Sequence, residues 1–326
     1  MSKVLVALPT VHEQLHAALK RLRAAGCEIV FNPHGRTLSE DELAAALPEV
    51  VATIAGTEPY TERVFAAAPQ LKVVARSGVG YDAIDVAAAT RHRVAIAMGF
   101  GANHNAVADF AFSLMAALAS KLIPYHALVA DGGWRRSAHM PLWRATAGIV
   151  GLGRIGKALA QRCRGFEMRV LAYDVLPDAG FAQQHGIELV DLATLFAAAD
   201  FISVHAPHTG QTHKIVSREL IALMKPTAFL VNTARGGLVD EAALAEALRE
   251  GKIAGAGLDV FEVEPLPPES PLRALPNVVM TPHCAGSSID AIAAMAERCV
   301  DNALALLQGR DPGADYVLNP EVIGRK

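Results

Sequence analysis

Six short, mostly apolar runs, at residues 146–150, 169–173, 201–205, 228–232, 254–259 and 278–281, alternate with helical patterns, and this alternation restricts the fold more than any other feature of the chain. A run without polar alternation is buried on both faces of its sheet, the environment of parallel strands covered by helices. Helices between successive strands supply the crossovers that such a sheet requires. The first hundred residues repeat the scheme, with strand patterns at 3–8, 28–31, 50–55, 71–75 and 94–98 and helical ones at 11–25, 43–47 and 61–68. Ser39-Glu40-Asp41-Glu42 reads as a capping box opening the second of these helices. After the break at Gly99-Phe100-Gly101 come a long amphipathic helix at 103–120 and an irregular stretch holding Gly132-Gly133-Trp134 and Pro141. A last helix, 288–307, lies beyond the second set of strands and returns the chain toward the first. The expectation is an α/β protein with two doubly wound parallel-sheet domains: residues 101–286 form one, inserted into another built from 1–100 and 287–326.

Composition agrees and excludes several classes. A chain of 326 residues suits two domains of about 100–200 residues each. With 52% hydrophobic and 19% charged residues it can fill two cores. A net charge of −3 offers no field for nucleic acid or an anionic membrane, and the small basic clusters at 20–23, 91–93 and Arg135-Arg136 read as solvated faces. Cys27, Cys163, Cys284 and Cys299 form no C-x-x-C pair or zinc spacing, so no metal is expected and a reducing, cytoplasmic compartment is. The apolar stretch 106–120 contains Asp109 and is too short to cross about 30 Å of hydrocarbon, and the N-terminus lacks the order of a signal peptide.

Two segments fit G-x-G-x-x-[GA]: Gly78-Val79-Gly80-Tyr81-Asp82-Ala83 and Gly151-Leu152-Gly153-Arg154-Ile155-Gly156. Context separates them. The second follows a buried strand, opens a helix, and is followed about 20 residues on by Asp174 at the end of the next strand, where a ribose-binding carboxylate belongs. Its glycines allow a tight turn and close approach of a pyrophosphate to the helix N-terminus. Asp174 would repel a 2′-phosphate, which favours NAD over NADP. The first match has Met98-Gly99 where that acid would stand. The backbone N–H groups of Ser77, Gly78, Val79 and Gly80 are instead read as either a carboxylate nest or an ordinary loop.

Three further side chains suit reduction of a 2-keto acid. Arg235, in Asn232-Thr233-Ala234-Arg235-Gly236-Gly237, follows a strand end and presents a planar cation able to hold two oxygens. His283, after Thr281-Pro282, suits proton donation; Glu264, past another strand end, would favour its protonated form and raise its pKa. Asp259 ends its strand at the same edge and reads as an acceptor for a nicotinamide carboxamide or as a turn residue.

These motifs resemble those of the D-isomer-specific 2-hydroxyacid dehydrogenases, especially the phosphoglycerate dehydrogenase-like branch, over nearly the whole chain. The segments that carry the resemblance are Arg76 to Asp85, Val150 to Lys157, Asn232 to Gly237, Leu258 to Phe261 with Glu264-Pro265, and Thr281-Pro282-His283. The resemblance implies a Rossmann NAD-binding domain inserted in a flavodoxin-like substrate domain, with a cleft that closes in catalysis. It implies Arg235 as the substrate-carboxylate ligand, His283 as the general acid/base and Glu264 as its partner. Arg76, Ser77, Gly78, Val79 and Gly80 would serve the substrate. Gly151, Gly153, Arg154, Ile155, Gly156, Asp174, His205, Pro207, Thr233, Ala234 and Asp259 would serve NAD. Family members are usually homodimers, with the region around Trp134 reaching the partner.

The sequence departs from that pattern in places. Pro141-Leu142-Trp143-Arg144-Ala145-Thr146 replaces a Glu-Leu-x-Gly-Lys-Thr run, Asp109 stands where Glu is commoner, and no regulatory domain is expected after Lys326. The expected activity is hydride transfer between NAD(H) and a D-2-hydroxy acid or 2-keto acid. Arg76 and Arg135-Arg136 leave 3-phosphoglycerate open as substrate; glyoxylate or hydroxypyruvate reduction is the alternative. An NAD-sensing corepressor is the rival of another class, disfavoured by the lack of long polar extensions.

Overall fold

The structure, a computed structural model, describes residues 2–323. By internal contacts the chain divides into two units, one of residues up to Asn103 together with those from Ser287, the other His104–Gly286.

The first unit runs β1 (Ser2–Val6), α1 (Glu13–Ala24), β2 (Cys27–Phe31), α2 (Glu40–Ala46), β3 (Val50–Ala55), α3 (Glu62–Ala66), β4 (Val73–Arg76), α4 (Val86–Arg91) and β5 (Ala95–Met98). Its five strands are all parallel, in the order β2-β1-β3-β4-β5. The capping box is present: Ser39 accepts from the Glu42 N–H, and Glu42 accepts from the Ser39 N–H at 2.9 Å.

The second unit runs α5 (His104–Ala119), α6 (Leu122–Ala130), β6 (Thr146–Val150), α7 (Arg154–Gly165), β7 (Arg169–Tyr173), α8 (Ala179–Gln184), β8 (Ile187–Leu189), α9 (Leu192–Ala198), β9 (Phe201–Val204), α10 (Arg218–Leu223), β10 (Phe229–Asn232), α11 (Glu241–Arg249), β11 (Gly255–Leu258) and β12 (Val278–Met280). Its seven parallel strands are ordered β12-β11-β10-β9-β6-β7-β8, a doubly wound sheet whose order reverses between β6 and β9. The last helix, α12 (Ile289–Leu307), belongs to the first unit and packs on α1 and on β3 to β5.

Each sheet has an apolar layer on both faces, as its continuous strand runs require. In the second unit one layer contains Val150, Ile202, Leu230 and Leu258, the other Ile149, Phe201 and Val231. In the first, Leu5, Val74 and Ile96 lie opposite Val4, Val6, Ile54 and Val73, the latter covered by Met295, Cys299 and Val300 of α12. Asp109 bonds Arg162 at 2.5 Å and so ties α5 to α7.

Three elements escape the sequence pattern: α4, whose six residues are too few to show a helical period, and β8 and α6. β8 has three residues, of which only Ile187 is buried, too short to show a period. α6 buries none of its residues, so no apolar face marks it. Lys121, in the left-handed region at φ +54°, turns the chain between α5 and α6, which bend by 58°. Among the described residues no single helix is long and apolar enough to cross a membrane; this bent pair passes on length and composition, but α5 lies in the second unit's core. Arg144 adopts the left-handed region at φ +59° and stacks on Trp143 at 4.5 Å.

The edge strand β5 is covered by the chain's own C-terminal segment. Leu318 N–H donates to Ile96 O at 2.9 Å, and the Asn319 side chain accepts from Ile96 N–H at 2.9 Å while donating to Val94 O at 2.9 Å. Asn319 is 1% exposed, so water does not reach these groups. Asn319→Ala strands the Ile96 donor and is expected to destabilise the first unit by about 2–3 kcal/mol, read as a lower denaturation midpoint by circular dichroism.

Candidate active site

The proposed functional groups of the second unit sit on loops that leave the C-terminal ends of parallel strands. In sheet order they are His283 after β12, Asp259 after β11, Thr233 to Arg235 after β10, His205 and Pro207 after β9, Gly151 to Gly156 after β6, and Asp174 after β7. Neighbouring strands lie about 4.8 Å apart, so residues distant in sequence share one edge. Strand ends are flush there: Val204 pairs with Asn232, Asn232 with Leu258, and Leu258 with Met280.

The glycines of the turn do different things. Gly151 has φ +97°, and a Cβ on it would lie 2.7 Å from Ala206 N and 2.8 Å from His205 C, so the β6 turn must press against the β9 loop. A Cβ on Gly156 would strike Gly151 O. Gly153, the N-cap of α7, has φ −75°, and nothing lies within 4 Å of where its Cβ would be. Neither conformation nor packing demands a glycine there. What glycine does is keep the front of the helix N-terminus clear, as an approaching pyrophosphate requires. Arg154 is exposed at the first helical position and Ile155 is half-buried.

Asp174 is bound into the same turn, accepting from Leu152 N–H at 2.7 Å and Leu176 N–H at 2.9 Å. Each oxygen keeps lone pairs for ribose hydroxyls. Two buried polar atoms near this edge have no partner among the described residues: Thr233 Oγ1 and His205 Nδ1. His205 Nε2 pairs with Ser203 Oγ at 2.8 Å, and burial pushes the imidazole down to about 3, so it is neutral. Such orphaned groups beside an open glycine turn fit a polar ligand such as a dinucleotide.

Three neighbouring loops build the acid–base group. Asn232, 1% exposed, folds the first by donating to Arg235 O at 2.8 Å and accepting from Ala234 N–H at 3.0 Å. Asparagine at a strand end is an Asx-turn signal, and it is the one sequence cue to this loop absent from the expectations above. Arg235 is half-buried, its guanidinium donating to Ala234 O at 2.5 Å. Gly236 is obligatory, because a Cβ there would overlap the Phe261 carbonyl. On the next strands, His283 Nδ1 meets Glu264 Oε2 at 2.7 Å, and Glu264 Oε1 accepts from Phe261 N–H at 3.0 Å. Burial opposes ionisation of Glu264, but the hydrogen bonds from His283 and Phe261, with the positive charges of His283 and Arg235, outweigh it and hold the carboxyl below its ordinary range. The stability this gives is present above the ordinary carboxylate range and is lost as pH falls through the lowered value.

Of the two readings of Asp259, the structure shows the residue that holds a turn. It is fully buried; Oδ1 accepts from Thr281 Oγ1 at 2.6 Å and Cys284 N–H at 2.9 Å, and Oδ2 from Ala285 N–H at 2.8 Å. Its carbonyl accepts from His283 N–H at 2.8 Å. The residue thus clasps the His283 loop. In the first unit the nest expected at Ser77 to Gly80 is narrower than its sequence suggests. Ser77 N–H donates to Ala55 O and Gly78 N–H to Arg76 O, which leaves Val79 and Gly80 N–H without an acceptor among the described residues.

Residues 112–285 match the family model described as D-isomer specific 2-hydroxyacid dehydrogenase, NAD binding domain. A glyoxylate reductase of Korarchaeum cryptofilum is 43% identical over 273 residues, 82% of this chain and 82% of that protein. A D-3-phosphoglycerate dehydrogenase of Archaeoglobus fulgidus is 41% identical over 292 residues, 89% of this chain but 54% of that protein, so the chain spans about half of that relative. The crystal structure of TT0316 protein from Thermus thermophilus superposes with a TM-score of 0.88 at 36% identity, covering 98% of this chain and 100% of that one.

The glycine geometry separates ligand from fold. Gly153→Val should weaken NADH binding about 10-fold or more while leaving the melting temperature unchanged, whereas Gly151→Ala should lower both. Fluorescence titration with NADH beside a thermal melt makes the comparison.

Proposed function

The chain belongs to the D-isomer specific 2-hydroxyacid dehydrogenase family, NAD-linked oxidoreductases of 2-hydroxy and 2-keto acids, and on that premise we propose that His283, Glu264 and Arg235 carry out its chemistry. The observation that carries this reading is the 2.7 Å pair between His283 Nδ1 and Glu264 Oε2, one strand away from the Arg235 loop. NAD, when bound, supplies or takes up the hydride. Gly151, Gly153 and Gly156 with the α7 N-terminus would hold its pyrophosphate, Asp174 its ribose hydroxyls, and Thr233 and His205 its remaining polar groups.

The chain's own residues handle charge and proton. Arg235 holds the substrate carboxylate and polarises the adjacent carbonyl, since its guanidinium is charged at every working pH. Glu264 engages Nδ1 of His283, so Nε2 is the atom that delivers a proton to the nascent alkoxide in reduction and removes it in oxidation. Asp259 holds the imidazole's loop in place. Val79 and Gly80 of the first unit offer N–H groups to a carboxylate, which makes that unit the substrate domain in this reading. His283→Ala should cost about 100-fold or more in kcat, and Glu264→Gln, which keeps the size of the side chain but removes its charge, should lower kcat by a smaller factor; stopped-flow NADH oxidation reads both.

A homodimer is the second part of the proposal. α6 buries none of its residues, and Leu122, Ile123, Val129, Trp134 and Trp143 are large apolar side chains left exposed on α6 and the segment after it. Exposed apolar side chains gathered on one helix and the segment after it mark an interface, and a second copy is the partner the family resemblance supplies. A soluble, cytoplasmic setting is supported by four free cysteines, two of which, Cys163 and Cys299, have thiols that burial pushes up to about 12. Leu122→Glu combined with Val129→Glu should convert the dimer to monomer in sedimentation velocity; an unchanged sedimentation coefficient at dimer size would refute the assignment.

A further inference from the structure

The two glycines after Arg235 are each pressed against a different neighbour. Gly236–Leu238 form a single 3₁₀ turn following β10. A Cβ on Gly236 would overlap the Phe261 carbonyl, in the loop after β11. A Cβ on Gly237 would lie 2.7 Å from Nε2 and 3.0 Å from Cε1 of His208, in the loop after β9. The strands β11 and β9 flank β10, so the turn that carries Arg235 is held by the loops on either side of it. Gly237 lies outside the left-handed region, and the three atoms nearest to a Cβ there all belong to the His208 ring. Only that imidazole stands against a side chain at this position.

The wall on the β9 side is itself well tied. Thr212 Oγ1 donates to Pro207 O at 2.6 Å, and His213 N–H donates to Thr209 O at 2.9 Å, which closes residues 207–213 into a tight turn. His208 Nε2 pairs with His213 Nδ1 at 3.3 Å, and this contact holds the ring that covers Gly237. Lys214, in the left-handed region at φ +52°, directs its N–H to Gly237 O at 2.8 Å, and Val216 N–H donates to Leu238 O at 2.9 Å. The Lys214 ammonium bonds Glu262, the residue after Phe261, at 3.2 Å and so joins the two walls. The backbone bonds carry most of this brace, since a partly exposed ion pair adds little.

The brace bears on Arg235 from one side of the chain. Asn232 holds the Arg235 carbonyl from the other, at 2.8 Å. A guanidinium grips a carboxylate through two oxygens in one plane, so its backbone must start from a fixed direction. Misplacing such a group by about 1 Å can cost about 100-fold in rate.

We propose that His208 is a positioning residue for Arg235: its imidazole, held by His213, sets the turn from which the guanidinium takes the substrate carboxylate. The inference rests on the reading of Arg235 given above. Take whichever of glyoxylate, hydroxypyruvate and pyruvate the wild-type protein reduces fastest. His208→Ala should raise its KM about 10-fold and change kcat by less than about 2-fold, because the grip on the carboxylate serves bound substrate and transition state alike. NADH affinity by fluorescence titration and the melting temperature should match the wild type, as neither the glycine turn after β6 nor the core is touched. Gly237→Ala should push the ring away from His213 and raise KM to the same extent. The double variant should be no worse than either single one, since the new methyl group enters the space that the imidazole has left. An unchanged KM in His208→Ala overturns the proposal, as do KM effects that multiply in the double variant or a loss of NADH affinity in step with KM. Arg235→Gln with unaltered keto-acid kinetics would instead overturn the reading of Arg235 itself, and the proposal with it.

Discussion

The proposed acid–base group of the second unit depends on one buried side chain. Asp259 lies at the end of β11 with no exposure, and its two oxygens collect hydrogen bonds from Thr281, Cys284 and Ala285, all in the loop that follows the neighbouring strand. His283 sits inside that loop in the left-handed region, at φ +53°, a conformation that costs a non-glycine residue about 1–2 kcal/mol. The clasp makes the strain tolerable, because charge-assisted bonds to a buried carboxylate are among the stronger ones a fold can make. Without it the imidazole has no reason to face Glu264.

Around that clasp the second unit separates rigid from open parts by simple means. Gly151, Gly156 and Gly236 are required by the protein itself, since any side chain would collide with backbone. Gly153 is not, and its freedom marks where something other than protein belongs. Thr233 and His205 make the same point with polar atoms: they are buried, and the chain does not satisfy them. The first unit shows a parallel economy, with β5 sealed by Asn319 and the Ser77–Gly80 loop braced by Arg76, while the N–H groups of Val79 and Gly80 have no acceptor among the described residues.

Much of this is legible in the sequence where one residue's type is sufficient. The strand from Thr146 to Val150, the Ser39 capping box and the placement of α12 follow from local pattern. The pairing of His283 with Glu264 is suggested by chemistry but needs the sheet to bring it about. β8 and α6 are not visible because neither has a buried period to display. The role of Asn232 lies open to view as an Asx-turn signal, yet nothing in its neighbours says which loop it folds. Arg76 shows the opposite difficulty: an arginine beside a glycine-rich loop suggests a phosphate ligand, yet its direction depends on what else needs a cation nearby, here Glu58 and its own loop.

Residue type and spacing alone give the two parallel sheets and the glycine turn after β6, and the charge of Asp174 speaks for NAD, because apolar period, glycine spacing and charge are properties of short segments. That Asp259 serves the His283 loop, that Val79 and Gly80 rather than Ser77 and Gly78 have N–H groups to spare among the described residues, and that Glu58 lies buried past the end of β3 follow from the folded arrangement. Those facts concern which partner each polar group finds, and such partners come from strands and loops that are neighbours in space but not in sequence.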